Sequence, residues 1–141
     1  MINKNDIIRI AIEEKVPLHK ILGLKVESLS EDKIILKLPF SEKVLGDVRS
    51  NRWHGGVISM VMDVVGGLCG IVTFTSLEDK LTIDLRIDYL DAPLAQELWF
   101  EGETVRLGNK ILVSRIKAYH PNNSKVFAEG KGVYYIKRDK Y

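Results

Sequence analysis

One carboxylate in this sequence stands where an ionised side chain is expensive. Asp63 lies between Met62 and Val64 in the twenty-residue run from Gly55 to Phe74, and it is the sole charge there. Burying a carboxylate without partners is costly. Its presence in an apolar run therefore makes it a candidate general base or nucleophile. Facing outward, or accepting a hydrogen bond from a neighbouring chain, are the structural alternatives. His54-Gly55-Gly56 opens the same run. Free N–H groups at a helix start favour negative charge, and glycine lets a ligand come close to the backbone. An oxyanion hole requires both. The triplet equally suits a plain helix start, with His54 as a terminal cap or a surface residue.

The spacing links the two features. Gly55 and Asp63 are eight residues apart, about 12 Å along a helix axis and roughly 80° around it. One carbonyl group cannot touch both on the same chain. Two such helices packed antiparallel about a two-fold axis bring Asp63 of one subunit towards Gly55 of the other, so the chemistry predicts a homodimer with two interfacial sites. Other reactive residues carry weaker signals. Cys69, on the same apolar run, reads as core packing. His19 and His120 have no partners at metal-ligand spacing, so no metal is expected. Arg106, Lys110 and Arg115 surround a hairpin and read as solvated charges, with contacts to a ligand's phosphates as the functional alternative. Trp53 either walls a pocket or anchors a dimer.

Alternation and periodicity supply the scaffold. Asp6 to Lys15 places Ile7, Ile8, Ala11 and Ile12 on one helical face, and Pro17 is expected to end that helix. Strands are expected at 24–29 and 33–39, around the Ser30-Glu31-Asp32 turn. An irregular segment, 40–53, leads to a long helix over 55–75. The second half reads as four strands in a meander, at 80–90, 98–107, 111–119 and 126–137, with turns at Gly108-Asn109 and Pro121-Asn122-Asn123-Ser124. In the first of these, Leu81, Ile83, Leu85, Ile87 and Tyr89 alternate against Thr82, Asp84, Arg86 and Asp88. Glycines 102, 130 and 132 interrupt strands, which suggests close approach of the central helix. The fold class is α+β: one antiparallel sheet of five or six strands wrapped around a long helix, in a single domain over 1–141 with an N-terminal helical segment at 1–22.

Composition narrows the function classes. The chain has 141 residues, 45% hydrophobic and 28% charged, with a formal net charge of +2. Basic residues are scattered rather than striped, and the Lys137-Arg138-Asp139-Lys140 tail reads as a solvated terminus, so no nucleic-acid partner is expected. A single cysteine fits a reducing, cytoplasmic setting. Charges among the isoleucines of residues 1–14 leave no signal-peptide core. The run 55–74 has the length of a membrane span, yet five glycines and a central aspartate argue for a buried helix, with no membrane partner.

The run His54-Gly55-Gly56-Val57 with Asp63 and Gly66-Gly67, followed by Thr82-x-Asp84-x-x-x-Asp88-Tyr89-Leu90-x-x-Pro93, resembles the hotdog acyl-CoA thioesterases of the phenylacetate-pathway (PaaI-like) and hydroxybenzoyl-CoA types. The resemblance extends from about Leu18 to Ile136. It implies hydrolysis of acyl-CoA thioesters with no cofactor, coenzyme A being part of the substrate, in dimers that pair into tetramers. By that resemblance the Gly55 N–H polarises the thioester carbonyl, and Gly56 belongs to the same binding loop. Asp63 acts as nucleophile or as general base, and His54 holds the thioester end or shapes the hole. The family's asparagine six residues before the histidine is Val48 here, with Asn51 the nearest substitute. The family's water-positioning hydroxyl corresponds to Thr82, but strict alternation turns Thr82 away from the helix. Either the strand is bulged or Thr82 is structural. A hotdog hydratase or dehydratase, and a non-catalytic acyl-CoA-binding module, are the rival readings.

Overall fold

The computed structural model describes residues 1–74, 79–123 and 125–138. Thr75, Ser124, Asp139 and Lys140, which the sequence reading placed at a helix end, in a turn and in the tail, lie outside the described residues.

Helix α1 (Lys4–Ile10) starts at a capping box in which Asn3 accepts from the Asp6 N–H and Asp6 accepts from the Asn3 N–H. A π-helical turn, Ala11–Lys15, follows directly. Pro17 does not simply terminate the segment. It sits at the first position of a second helix, α2 (Pro17–Leu22), where its missing N–H is harmless. Ile8 and Ile12 are buried while Ile7 is exposed, so the apolar stripe is narrower than the sequence spacing implies. Strands β1 (Lys25–Leu29) and β2 (Lys33–Leu38) form the expected hairpin. The segment expected to be irregular contains a two-stranded ladder, β3 (Leu45–Asp47) with β4 (Arg52–Trp53).

The central helix α3 (Gly55–Leu68) is shorter than its apolar run. Cys69 leaves helical geometry, Gly70 takes a left-handed conformation at φ 72, and a 3-10 turn covers Ile71–Thr73. Gly55–Thr73 matches a membrane span in length and composition. Here its buried face, with Ile58, Val61, Met62 and Val65, packs on the sheet.

Strands β5 (Asp79–Tyr89), β6 (Leu98–Leu107), β7 (Ile111–Tyr119) and β8 (Val126–Lys137) complete one six-stranded antiparallel sheet. Its order is β1-β2-β6-β7-β8-β5. Only β6-β7-β8 is a meander. The expected four-strand meander fails at β5, which pairs with β8 at the sheet edge, while β6 takes β2 as its other neighbour. The helix between β2 and β5 carries the chain across the sheet, so β5 enters at the far side.

The interior glycines serve different neighbours. A Cβ on Gly102 would lie 2.7 Å from Cys69 Sγ and 3.0 Å from Val65 O, which is the anticipated helix approach. At Gly130 the obstacle is instead the β5 backbone, Arg86 O at 2.4 Å, and at Gly132 it is the ring of Tyr134 on the same strand. The tightest contact between helix and sheet comes from the helix side. A Cβ on Gly66 would fall 2.3 Å from Tyr134 Oη and 2.6 Å from Ile116 Cδ1. Overpacking of this kind costs about 1–3 kcal/mol. Gly66→Ala is therefore expected to lower the unfolding free energy by about that amount in urea titrations; unchanged stability would contradict the close packing of α3 on β7 and β8.

Candidate functional site

The bulge anticipated as one option for β5 is present, and it decides where Thr82 points. Thr82 pairs with Tyr134 and Asp84 pairs with Val133, which leaves Ile83 as an extra residue. Across the bulge the alternation changes phase. Leu85 and Ile87 pack towards the core, whereas Leu81 and Ile83 are 61% and 57% exposed. The single apolar face read from the sequence is thus two half-faces. Thr82 consequently shares the inner side with Tyr134, its partner across the strands, and its hydroxyl donates to Asp63 Oδ1 at 2.9 Å.

Asp63 is half-buried in the middle of α3 and is held at two points. Its side chain takes the Thr82 hydroxyl, and its main-chain carbonyl accepts from the Tyr134 hydroxyl at 3.0 Å. Tyr134 reaches that carbonyl because Gly132 leaves room for the ring to lean back along its own strand. Burial, reinforced by the nearby Asp63 charge, pushes the Tyr134 phenol well above its ordinary range, so it stays a neutral donor. Tyr134 was not singled out in the sequence. The Gly132-x-Tyr134 pair was its available signal, a strand glycine two residues before a large aromatic on the same face. Asp63, Thr82 and Tyr134 border a cleft of about 380 Å³.

At the start of α3, His54 is the N-cap, and its Nδ1 accepts from the Gly56 N–H at 2.9 Å. That geometry leaves Nε2 to carry the imidazole proton. It also commits Gly56 N–H internally. The Val57 and Ile58 N–H groups both bond to His54 O. The exposed Gly55 N–H is the first free donor of the helix, having no partner among the described residues. The Tyr89 hydroxyl bonds to Gly55 O at 3.0 Å, tying the far end of β5 to the helix start.

Two candidates stand apart from this arrangement. Asn51 occupies a left-handed position, φ 56, in the β3–β4 turn, and it does not line the cleft beside Asp63. Val48, at the same turn, is 80% exposed. Trp53 is buried, stacked edge-on against Phe40, and its Nε1 donates to Gln96 O at 3.0 Å. It also lines a hollow of about 290 Å³ beside Gly55. Arg115 lies beside Glu103 on the surface. His19 and His120 are buried, their Nδ1 atoms 2.8 Å from Ile12 O and Glu97 O respectively. The structure thus joins Asp63 to Thr82 and groups His54, Gly55 and Gly56 at the helix start, eight residues from Asp63 along one helix.

Proteins of similar sequence and of similar architecture are known. The Thioesterase superfamily profile matches residues 51–127. The "Medium/long-chain acyl-CoA thioesterase YigI" of Escherichia coli K12 is 30% identical over 118 residues, spanning 74% of this chain and 76% of that protein. The protein of the same name from Salmonella typhimurium is 32% identical over 120 residues, with the same coverage. A crystal structure from Shewanella oneidensis, described as related to the thioesterase superfamily, superposes with a TM-score of 0.80 at 24% identity, covering 92% of this chain and 93% of that one. The chain belongs to the thioesterase superfamily, with the hotdog fold, and is a thioester hydrolase.

Cys69 is the one cysteine of the chain. It is fully buried, and burial pushes its thiol up to about 12. A thiol that stays protonated at neutral pH is a poor nucleophile. Iodoacetamide at pH 8 is expected to leave the folded protein unmodified and to label Cys69 once urea is added, as read by mass; rapid labelling of the folded protein would contradict this burial.

Proposed function

We propose that the protein hydrolyses acyl-CoA thioesters to a free acid and CoA, with Asp63 and Gly55 from opposite subunits of a homodimer forming each site. One observation carries the reading: the sole charged residue of α3 has one carboxylate oxygen bound by Thr82 and opens onto a cleft, while the free Gly55 N–H lies at the start of the same helix, eight residues away. The names of the YigI relatives support acyl-CoA as the substrate class. The dimer is supported by β5, an edge strand with Leu81 and Ile83 exposed, and by the half-buried outer side of α3.

In this reading the Thr82 hydroxyl orients the carboxylate, and its second oxygen takes a proton from water as the water oxygen attacks the thioester carbonyl carbon. The oxyanion so formed is held by the Gly55 N–H of the partner subunit, with His54 shaping the hole. Collapse breaks the C–S bond, and the proton held by Asp63 passes to the departing CoA thiolate.

Asp63→Asn is expected to lower kcat/KM by about 10²–10⁴-fold, the usual contribution of a general base. Gly55→Pro removes the proposed donor at the helix position that tolerates proline best, and His54 already has the extended backbone that a following proline requires. Its kcat should fall by about 10²–10³-fold. Mixing the two inactive variants under conditions of subunit exchange should restore about a quarter of wild-type turnover, because each mixed dimer regains one intact site. No recovery from dimers shown by mass to be mixed would exclude a shared site. Near-normal turnover by Asp63→Asn would remove the carboxylate from the mechanism.

A further inference from the structure

The cleft beside Asp63 has a wall that the proposed reaction does not use. On α3, Val64, Gly67 and Leu68 line the cleft together with Asp63, Gly67 standing one turn further along the Asp63 face. The N-terminal segment contributes Ala11, Ile12 and Val16 to the lining of the same cleft. Asp63 and Thr82, with His19, Asp79 and Lys80, therefore adjoin a slot whose remaining lining is largely apolar. Such a slot suits a ligand with a reactive polar end and an apolar tail.

The N-terminal segment is fastened down rather than loosely laid. Lys4 Nζ donates to Val72 O at 2.6 Å and also to Phe74 O. Arg9 donates to Val26 O, and Glu13 accepts the Val26 N–H at 2.9 Å. His19 closes the segment on itself through Ile12 O. Between these ties lies the π turn Ala11–Lys15, and isolated π turns concentrate at functional sites. Ala11 opens this turn and carries the smallest side chain of the three.

We propose that Ala11, Ile12 and Val16 form the far wall of the acyl pocket and fix the longest acyl chain the enzyme accepts, a proposal that rests on Asp63 marking the reacting end. Each methylene transferred from water into an apolar pocket gains about fourfold in affinity, so a ring placed at Ala11 penalises long chains selectively. Ala11→Phe is expected to lower the ratio of kcat/KM for decanoyl-CoA over acetyl-CoA by about tenfold or more. Ile10→Phe, on the exposed side of the same segment, should leave that ratio where it is. An unchanged ratio in Ala11→Phe, or an equal shift in Ile10→Phe, overturns the proposal.

A binding measurement separates this inference from the catalytic reading. Affinities of butyl-, octyl- and dodecyl-CoA thioethers, which cannot be hydrolysed, should rise with chain length for the wild type. For Ala11→Phe they should stop rising at a shorter tail. Affinity independent of tail length in the wild type sinks the pocket while leaving the hydrolysis intact. Length-dependent binding by a protein that cleaves no acyl-CoA sustains the pocket and sinks the hydrolysis.

Discussion

An ionisable group in the middle of an apolar helix has to be given polar partners by something other than that helix, and most of this fold can be understood as the answer to that constraint. The helix satisfies its own backbone, so the partners for Asp63 come from the sheet. Thr82 supplies the side-chain bond and Tyr134 the main-chain bond, from positions directly opposite each other on β5 and β8. Each depends on a local irregularity. The extra residue at Ile83 turns Thr82 inward, and the missing side chains at Gly132 and Gly66 let the Tyr134 ring lie against the helix. A regular strand with ordinary side chains would leave the carboxylate unanchored.

This reliance on irregularities explains what the sequence disclosed. Periodicity located every main strand and the start of the central helix, because half-buried strands and apolar helices write their burial directly into residue order. The candidate site residues stood out for a related reason, since Asp63 and His54-Gly55-Gly56 conflict with the run they interrupt. Thr82 could not be settled from alternation alone, as a bulge reverses the inner and outer sides without any change in composition. Tyr134 left only the glycine two residues before it as a mark, because its role also depends on a helix distant in sequence. The early end of α3 was missed because Gly70 adopts a left-handed conformation inside an otherwise unbroken apolar run.

Sheet order was misjudged for a different reason. Consecutive strands pair often enough to make a meander the default expectation. Here β5 follows a helix that crosses the sheet, and local sequence carries no record of which edge it reaches. That placement matters chemically, since it sets the strand bearing Thr82 at the border of the sheet, next to whatever lies outside it.

The same strand touches the helix at both of its informative ends, through Thr82 at Asp63 and through Tyr89 at the Gly55 carbonyl. β5 therefore works as a gauge bar laid beside α3, clamping the middle and the beginning of that helix to one rigid reference. Any sliding of the bar against β8 would displace both clamps together and in the same direction. Sheet registry, ordinarily a matter of folding alone, in this molecule also sets how the Asp63 carboxylate and the start of α3 stand relative to each other.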